Sequence, residues 1–204
     1  MDAHKSQFNR FLLIILAVLY VITIAAFSYA NWAADPGFMQ WWMMLLNALI
    51  LSIPLVLLYG SIYLLVVAWR EHATLGQVGP RLAKIIHWAP RGAAILIIFF
   101  VSLFSLDVLE MEGTPLQLLG GFIMHNIPSI GMVILLILAW KRPVVGFVAF
   151  LVAAVLFTIF FVRDIFALPN LLLFVFPILL VACLFFADWK WLKPQPPAQA
   201  NPTV

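Results

Sequence analysis

Long uncharged apolar runs, interrupted by one or two charges at a time, set the pattern of this chain. Phe11–Ala34 and Pro36–Trp69 carry no charge, and Gly92–Leu106 is a shorter run of the same kind. Gly113–Trp140 contains only His125, and Pro143–Val162 and Ile165–Ala187 complete the set. A helix needs about 20 apolar residues to cross a hydrocarbon core of about 30 Å. The runs predict an all-α polytopic membrane protein of six transmembrane helices, over about 10–30, 39–69, 90–110, 119–140, 143–162 and 167–188.

Composition agrees. Apolar residues make up 66% of the chain, charged residues 9%, and mean hydropathy is +1.13. Soluble domains carry about a quarter charged residues. The pI of 9.2 could suggest nucleic acid, but the basic residues sit at the ends of apolar runs, so the partner they imply is the lipid bilayer. The single cysteine, Cys183, excludes an internal disulfide and suggests no metal-thiolate site. No cofactor is implied. Bis-histidine haem ligation would need two histidines at one depth, and only His125 falls in a span.

Charge placement orients the chain. With the N-terminus inside, Lys5, Arg10, Arg70, Arg81, Lys84, Arg91, Lys141, Arg142, Lys190 and Lys193 fall on the inner side and Arg163 alone on the outer. Cations favour the cytoplasmic side, so both termini are expected there. Asp35, Asp107, Glu110, Glu112 and Asp164 lean outward. Trp69, Trp140 with Lys141 and Arg142, and Trp189 read as inner-interface anchors. The first span is too long for a cleaved signal and is expected to be an uncleaved signal-anchor. The organisation expected is an N-terminal hairpin (1–69), a cytoplasmic loop (70–90), a four-helix module (91–189) and a disordered tail (190–204). Within the loop, RLAKIIHW fits a short interfacial helix or a solvated positive loop. His87 reads as a surface histidine with no role.

Even-numbered spans share a plan. Each holds an interior proline (Pro54, Pro128, Pro177), and each ends on tryptophan followed by a cation. Three stacked hairpins are one reading; ordinary membrane-helix composition is the other. Each proline frees a carbonyl one turn back, which should face protein or water rather than lipid.

The candidate chemistry lies in the second hairpin, between spans three and four. Between Arg91 and Asp107 only fifteen uncharged residues intervene, about 22 Å of helix. Either that helix begins before Arg91, which then snorkels inward, or Asp107 lies within the membrane edge. His125 sits at similar depth on the next helix. Asp107, Glu110, His125 and Asn126 form a polar cluster that suits a proton relay, a structural staple between helices or simple contact with headgroups. A three-ligand metal site of Asp107, Glu110 and His125 lacks supporting spacing, and no metal is assigned. Coupling of the pair predicts that Asp107→Asn lowers thermal stability. Asn126 could cap a helix starting at Ile127.

Three motifs stand in this part of the chain: Phe104-Ser105-Leu106-Asp107, Gly121-Phe122 through His125 and Pro128, and Trp140-Lys141-Arg142-Pro143 through Gly146. On these, the chain from about Arg81 to Ala187 resembles a family of small bacterial four-helix integral membrane proteins with no assigned function. The resemblance implies a bacterial inner-membrane location and no reaction. The function expected is a non-enzymatic membrane module packing with itself or another membrane protein, marked by an aromatic flank of Phe160, Phe161, Phe174 and Phe176. A small proton-coupled transporter, with a cavity near Asn47, Pro54 and Pro128, and an intramembrane enzyme built on Asp107, Glu110 and His125 remain the alternatives.

Overall fold

In hydrocarbon no water satisfies backbone N–H and C=O groups, so each crossing must bond within itself, and helices do so. The computed structural model describes residues 2–34, 41–110, 112–162 and 167–192. Asp35, Arg163, Asp164, Lys193 and the tail Pro194–Val204, with the side chains of Lys5 and Glu110, lie outside the described residues. Five long helices come first in chain order: α1 (Asp2–Ala34), α2 (Trp41–Leu75), α3 (Pro80–Leu103), α4 (Pro115–Ala139) and α5 (Pro143–Phe161). A 3₁₀ segment, Phe104–Glu110, continues α3. The chain then forms α6 (Ala167–Asn170), a π segment (Leu171–Val175) and α7 (Phe176–Trp191). Six helices are long and apolar enough to cross a membrane.

Two boundaries differ from the sequence expectation. The stretch Arg70–Pro90 is almost wholly helical rather than a loop with a separate interfacial helix. α2 runs on to Leu75, the chain turns at Gly76 (φ 68°), and α3 starts at Pro80. RLAKIIHW is the opening of α3, which therefore has the length to cross. The helix α4 starts at Pro115, not near Gly120. Thr114 Oγ1 accepts the Gln117 N–H, and Gln117 Oε1 accepts the Thr114 N–H at 2.9 Å. That reciprocal cap satisfies two groups the helix leaves open. Asn126 is thus mid-helix and caps nothing.

The helix α7 is the central post, packing against α2, α3 and α5, while α4 bridges α3 and α5. The first helix leans on α2, held by Tyr20 Oη to Ser52 Oγ and Thr23 Oγ1 to Tyr59 Oη, each at 2.8 Å. Lipid is as apolar as leucine, so close packing and polar contacts must hold such helices together. Small residues serve this: Ala93, Ala94, Ala139, Ala154, Ala182 and Ala187 are buried. At Gly146 a Cβ would lie 2.7 Å from the ring of Phe185 on α7. At the other end, the Phe174 ring meets Phe104, Phe161 and Phe100 at 5.0, 5.1 and 5.4 Å. The aromatic flank is therefore not one face: Phe160 and Phe176 are exposed, but Phe174 is core.

The three prolines are not equivalent. Pro54 and Pro177 are buried, whereas Pro128 is exposed. Only Pro177 follows a π segment, in which the Phe176 N–H reaches Leu171 O. The wider turn accommodates a proline that cannot donate.

Candidate functional site at the cationic end

The helical repeat places His87 and Arg91 on one face of α3, four residues apart. That face meets the last turn of α7, where Asp188 lies, and the end of α4. Arg91 and Asp188 are 3% and 5% exposed. Arg91 Nη1 donates to Asp188 Oδ2 at 2.9 Å and also to the His87 carbonyl. Its Nε and Nη2 both donate to the Trp140 carbonyl, at 3.2 and 3.0 Å. That oxygen belongs to the C-terminal end of α4, where no further turn supplies donors and Pro143 has no N–H to give. One guanidinium thus caps α4 and pairs with α7. His87 Nδ1 lies 3.1 Å from Asp188 Oδ1, and its side chain is 48% exposed. Trp88 meets Trp140 edge-on at 6.4 Å, across the same seam.

This corrects two readings. Arg91 does not snorkel to water; it is buried in an ion pair. His87 is not a bystander on the surface; it is the outer member of the network. The signal was present but incomplete. A helix long enough to cross must bury Arg91, which demands a counter-charge, and Asp188 sits one residue before an interface tryptophan. Nothing in the sequence joins residues 97 positions apart.

Among the described residues, Asp107 and His125 of the expected polar cluster are not brought together; the Glu110 side chain lies outside them. Asp107, in the 3₁₀ segment, and His125, on α4, are both exposed, and no hydrogen bond or ion pair joins them. His125 Nδ1 is 2.9 Å from its own helix carbonyl at Gly121, and Asn126 Nδ2 donates to Phe122 O at 3.0 Å. Ser102 and Ser105 likewise bond back to Phe99 O and Ser102 O. Such side chains satisfy themselves locally and tie no helices. Among the described residues, no three His, Cys, Asp or Glu side chains form a group able to hold a metal ion. The sequence expectation for Asp107→Asn is accordingly revised. With both groups exposed and not joined to one another, the change is expected to stay within about 0.5 kcal/mol, read as an unmoved melting midpoint in detergent.

The anchors fall around the clasp. Trp140 is the C-cap of α4, Lys141 and Arg142 are exposed in the link to α5, Trp189 is half-buried beside Asp188, and Trp69 is exposed on α2.

Fold and site together define a polytopic helical membrane protein closed at one end by a buried ion pair. Residues 79–197 match a domain family of unknown function, DUF7670. The match spans more than half of the chain, which therefore belongs to that family, and the matched region holds four of the six candidate spans. No curated protein and no solved structure matches the chain.

Proposed function

We propose that the protein is a non-enzymatic, multi-pass module of a bacterial inner membrane, with both termini cytoplasmic, that packs with itself or another membrane protein. One observation carries the reading. The buried pair, Arg91 and Asp188, is engaged with itself and with the end of α4, an arrangement that locks helices rather than one that presents a reactive group. The polar side chains of α4 likewise bond to their own helix. The ten-to-one division of Lys and Arg supports the orientation. A small proton-coupled transporter is the second reading. It draws on Asn47, whose amide nitrogen is buried in α2 without a hydrogen-bond partner among the described residues. The two separate in proteoliposomes and in detergent. The module reading expects no proton entry under an imposed pH gradient, and a particle mass, by light scattering in mild detergent, of more than one chain. Proton flux that disappears in Asp188→Asn, from a particle of one chain, would establish the transporter instead.

A further inference from the structure

Next to the clasp, a cleft of about 410 Å³ opens between the α2–α3 connection and the last turn of α7. Its walls include His72, Gln77, Ala83, Lys190 and Trp191. The His72 ring stacks on Trp191 at 5.8 Å and 22°, which holds it flat against one wall. Its Nδ1 is buried without a hydrogen-bond partner among the described residues. Buried polar groups are ordinarily bonded, so an orphan at a cleft wall calls for an explanation. Lys190 is exposed and makes no ion pair with a described residue. The neighbouring carboxylates are engaged: Asp188 with Arg91, and Glu71, beside His72, with the Gly79 N–H, which its Oε1 accepts at 3.2 Å.

The geometry points to a binding site for a phosphate-bearing anion in this cleft. Lys190 supplies the positive charge, His72 and the Gln77 amide supply N–H donors, and Trp191 supplies an apolar wall. The start of α3 adds to this. Gly79 offers no side-chain cap, Pro80 has no N–H and the Ala83 N–H bonds to Gly79 O at 2.8 Å, so the contribution of the helix start is its dipole. The helix dipole is positive there. The carbonyl ends of α2 and α7 oppose an anion, and His72 and Lys190 stand in those two last turns to offset them. The volume exceeds a bare phosphate and fits a glycerophosphate-sized group. A tryptophan beside a lysine at a span's end is where lipid headgroups lie, so the ligand is either a headgroup or a free phosphate compound.

The test uses the full chain in nanodiscs of phosphatidylcholine alone. One arm adds inorganic phosphate and follows its phosphorus relaxation. The other replaces part of the lipid with phosphatidylglycerol and counts retained lipids by native mass spectrometry. Lys190→Gln should weaken whichever arm binds by about tenfold, equivalent to about 1.4 kcal/mol. His72→Gln should do the same if its melting midpoint is retained. Lys141→Gln, a cation at the same end but outside the cleft walls, should leave binding unchanged. Binding in the lipid arm alone identifies a headgroup, and in the phosphate arm alone a free phosphate. Binding in neither arm overturns the site. Equal losses in Lys141→Gln and Lys190→Gln also overturn it, because general surface charge would then suffice.

Discussion

Asp188→Leu is expected to lower the unfolding free energy by about 3–5 kcal/mol. The substitution removes the carboxylate that Arg91 faces at 2.9 Å and leaves a guanidinium almost without solvent. Removing one member of a buried pair costs far more than the pair itself contributes, because the survivor is neither solvated nor paired. The measurement is unfolding by SDS titration from mild detergent. Two companions make it discriminating. The double variant Arg91→Met with Asp188→Leu should recover much of the loss, since it removes both charges. It should not recover all, because the Trp140 carbonyl loses both of its donors. His87→Ala should cost less than about 1 kcal/mol, as a half-exposed ring contributes little to an ion pair. If Asp188→Leu costs no more than His87→Ala, the clasp does not hold the bundle.

Gly146→Val is the second expected large effect, about 1–3 kcal/mol of destabilisation from overpacking. A Cβ at Gly146 would meet Phe185 Cδ1 and Cγ at 2.7 Å and Cδ2 at 2.9 Å. The ring cannot retreat. Phe185 is 0% exposed, stacks on Phe150 at 5.7 Å, and lies 5.9 Å from the Arg91 guanidinium. Moving it would also disturb the clasp. Phe185→Leu should rescue Gly146→Val in part by vacating the contact. Gly60→Ala on α2 is the control, since nothing lies within 4 Å of its Cβ position. There a better helix former should be neutral or stabilising by up to about 1 kcal/mol. The same SDS titration reads all three. A loss at Gly60 equal to that at Gly146 would refute the close approach of α5 to α7.

The two glycines also show how much of a motif is readable. Gly146 follows Trp140-Lys141-Arg142-Pro143 in the sequence, and Pro143 at the first position of α5 is a helix start that the sequence announces. That the glycine faces an aromatic ring on α7 is not announced. Gly121 is similar: its Cβ would meet Val108 Cγ1 at 2.9 Å, so it admits the 3₁₀ segment against α4. The capping box at Thr114 and Gln117 sets the start of α4, four residues before the point hydropathy suggests.

The candidate site divides along a different line. Asp107 and His125 drew the eye because they are ionisable residues in or near apolar runs. Their exposure and local bonds leave them unconnected. Arg91, Asp188 and His87 looked like ordinary interface residues because each lies near a helix end, where charge is common. Hydropathy along one chain records depth in the membrane, not which helices are neighbours. A buried pair is visible only once the neighbours are known.

The sequence alone determined the number of helices long and apolar enough to cross, the all-helical class and the proline start of α5. These follow from local physics: apolar length, backbone self-satisfaction in lipid and the chemistry of capping. Tertiary structure alone decided that α7 is the central post, that Arg91 is buried rather than snorkelling, and that Phe174 is core while Pro128 is exposed. It also decided that His72, Lys190 and Trp191 share a cleft. Each of these depends on the direction a side chain takes around a helix relative to another helix far away in sequence. When lipid and protein interior are equally apolar, hydrophobic patterning does not distinguish those directions.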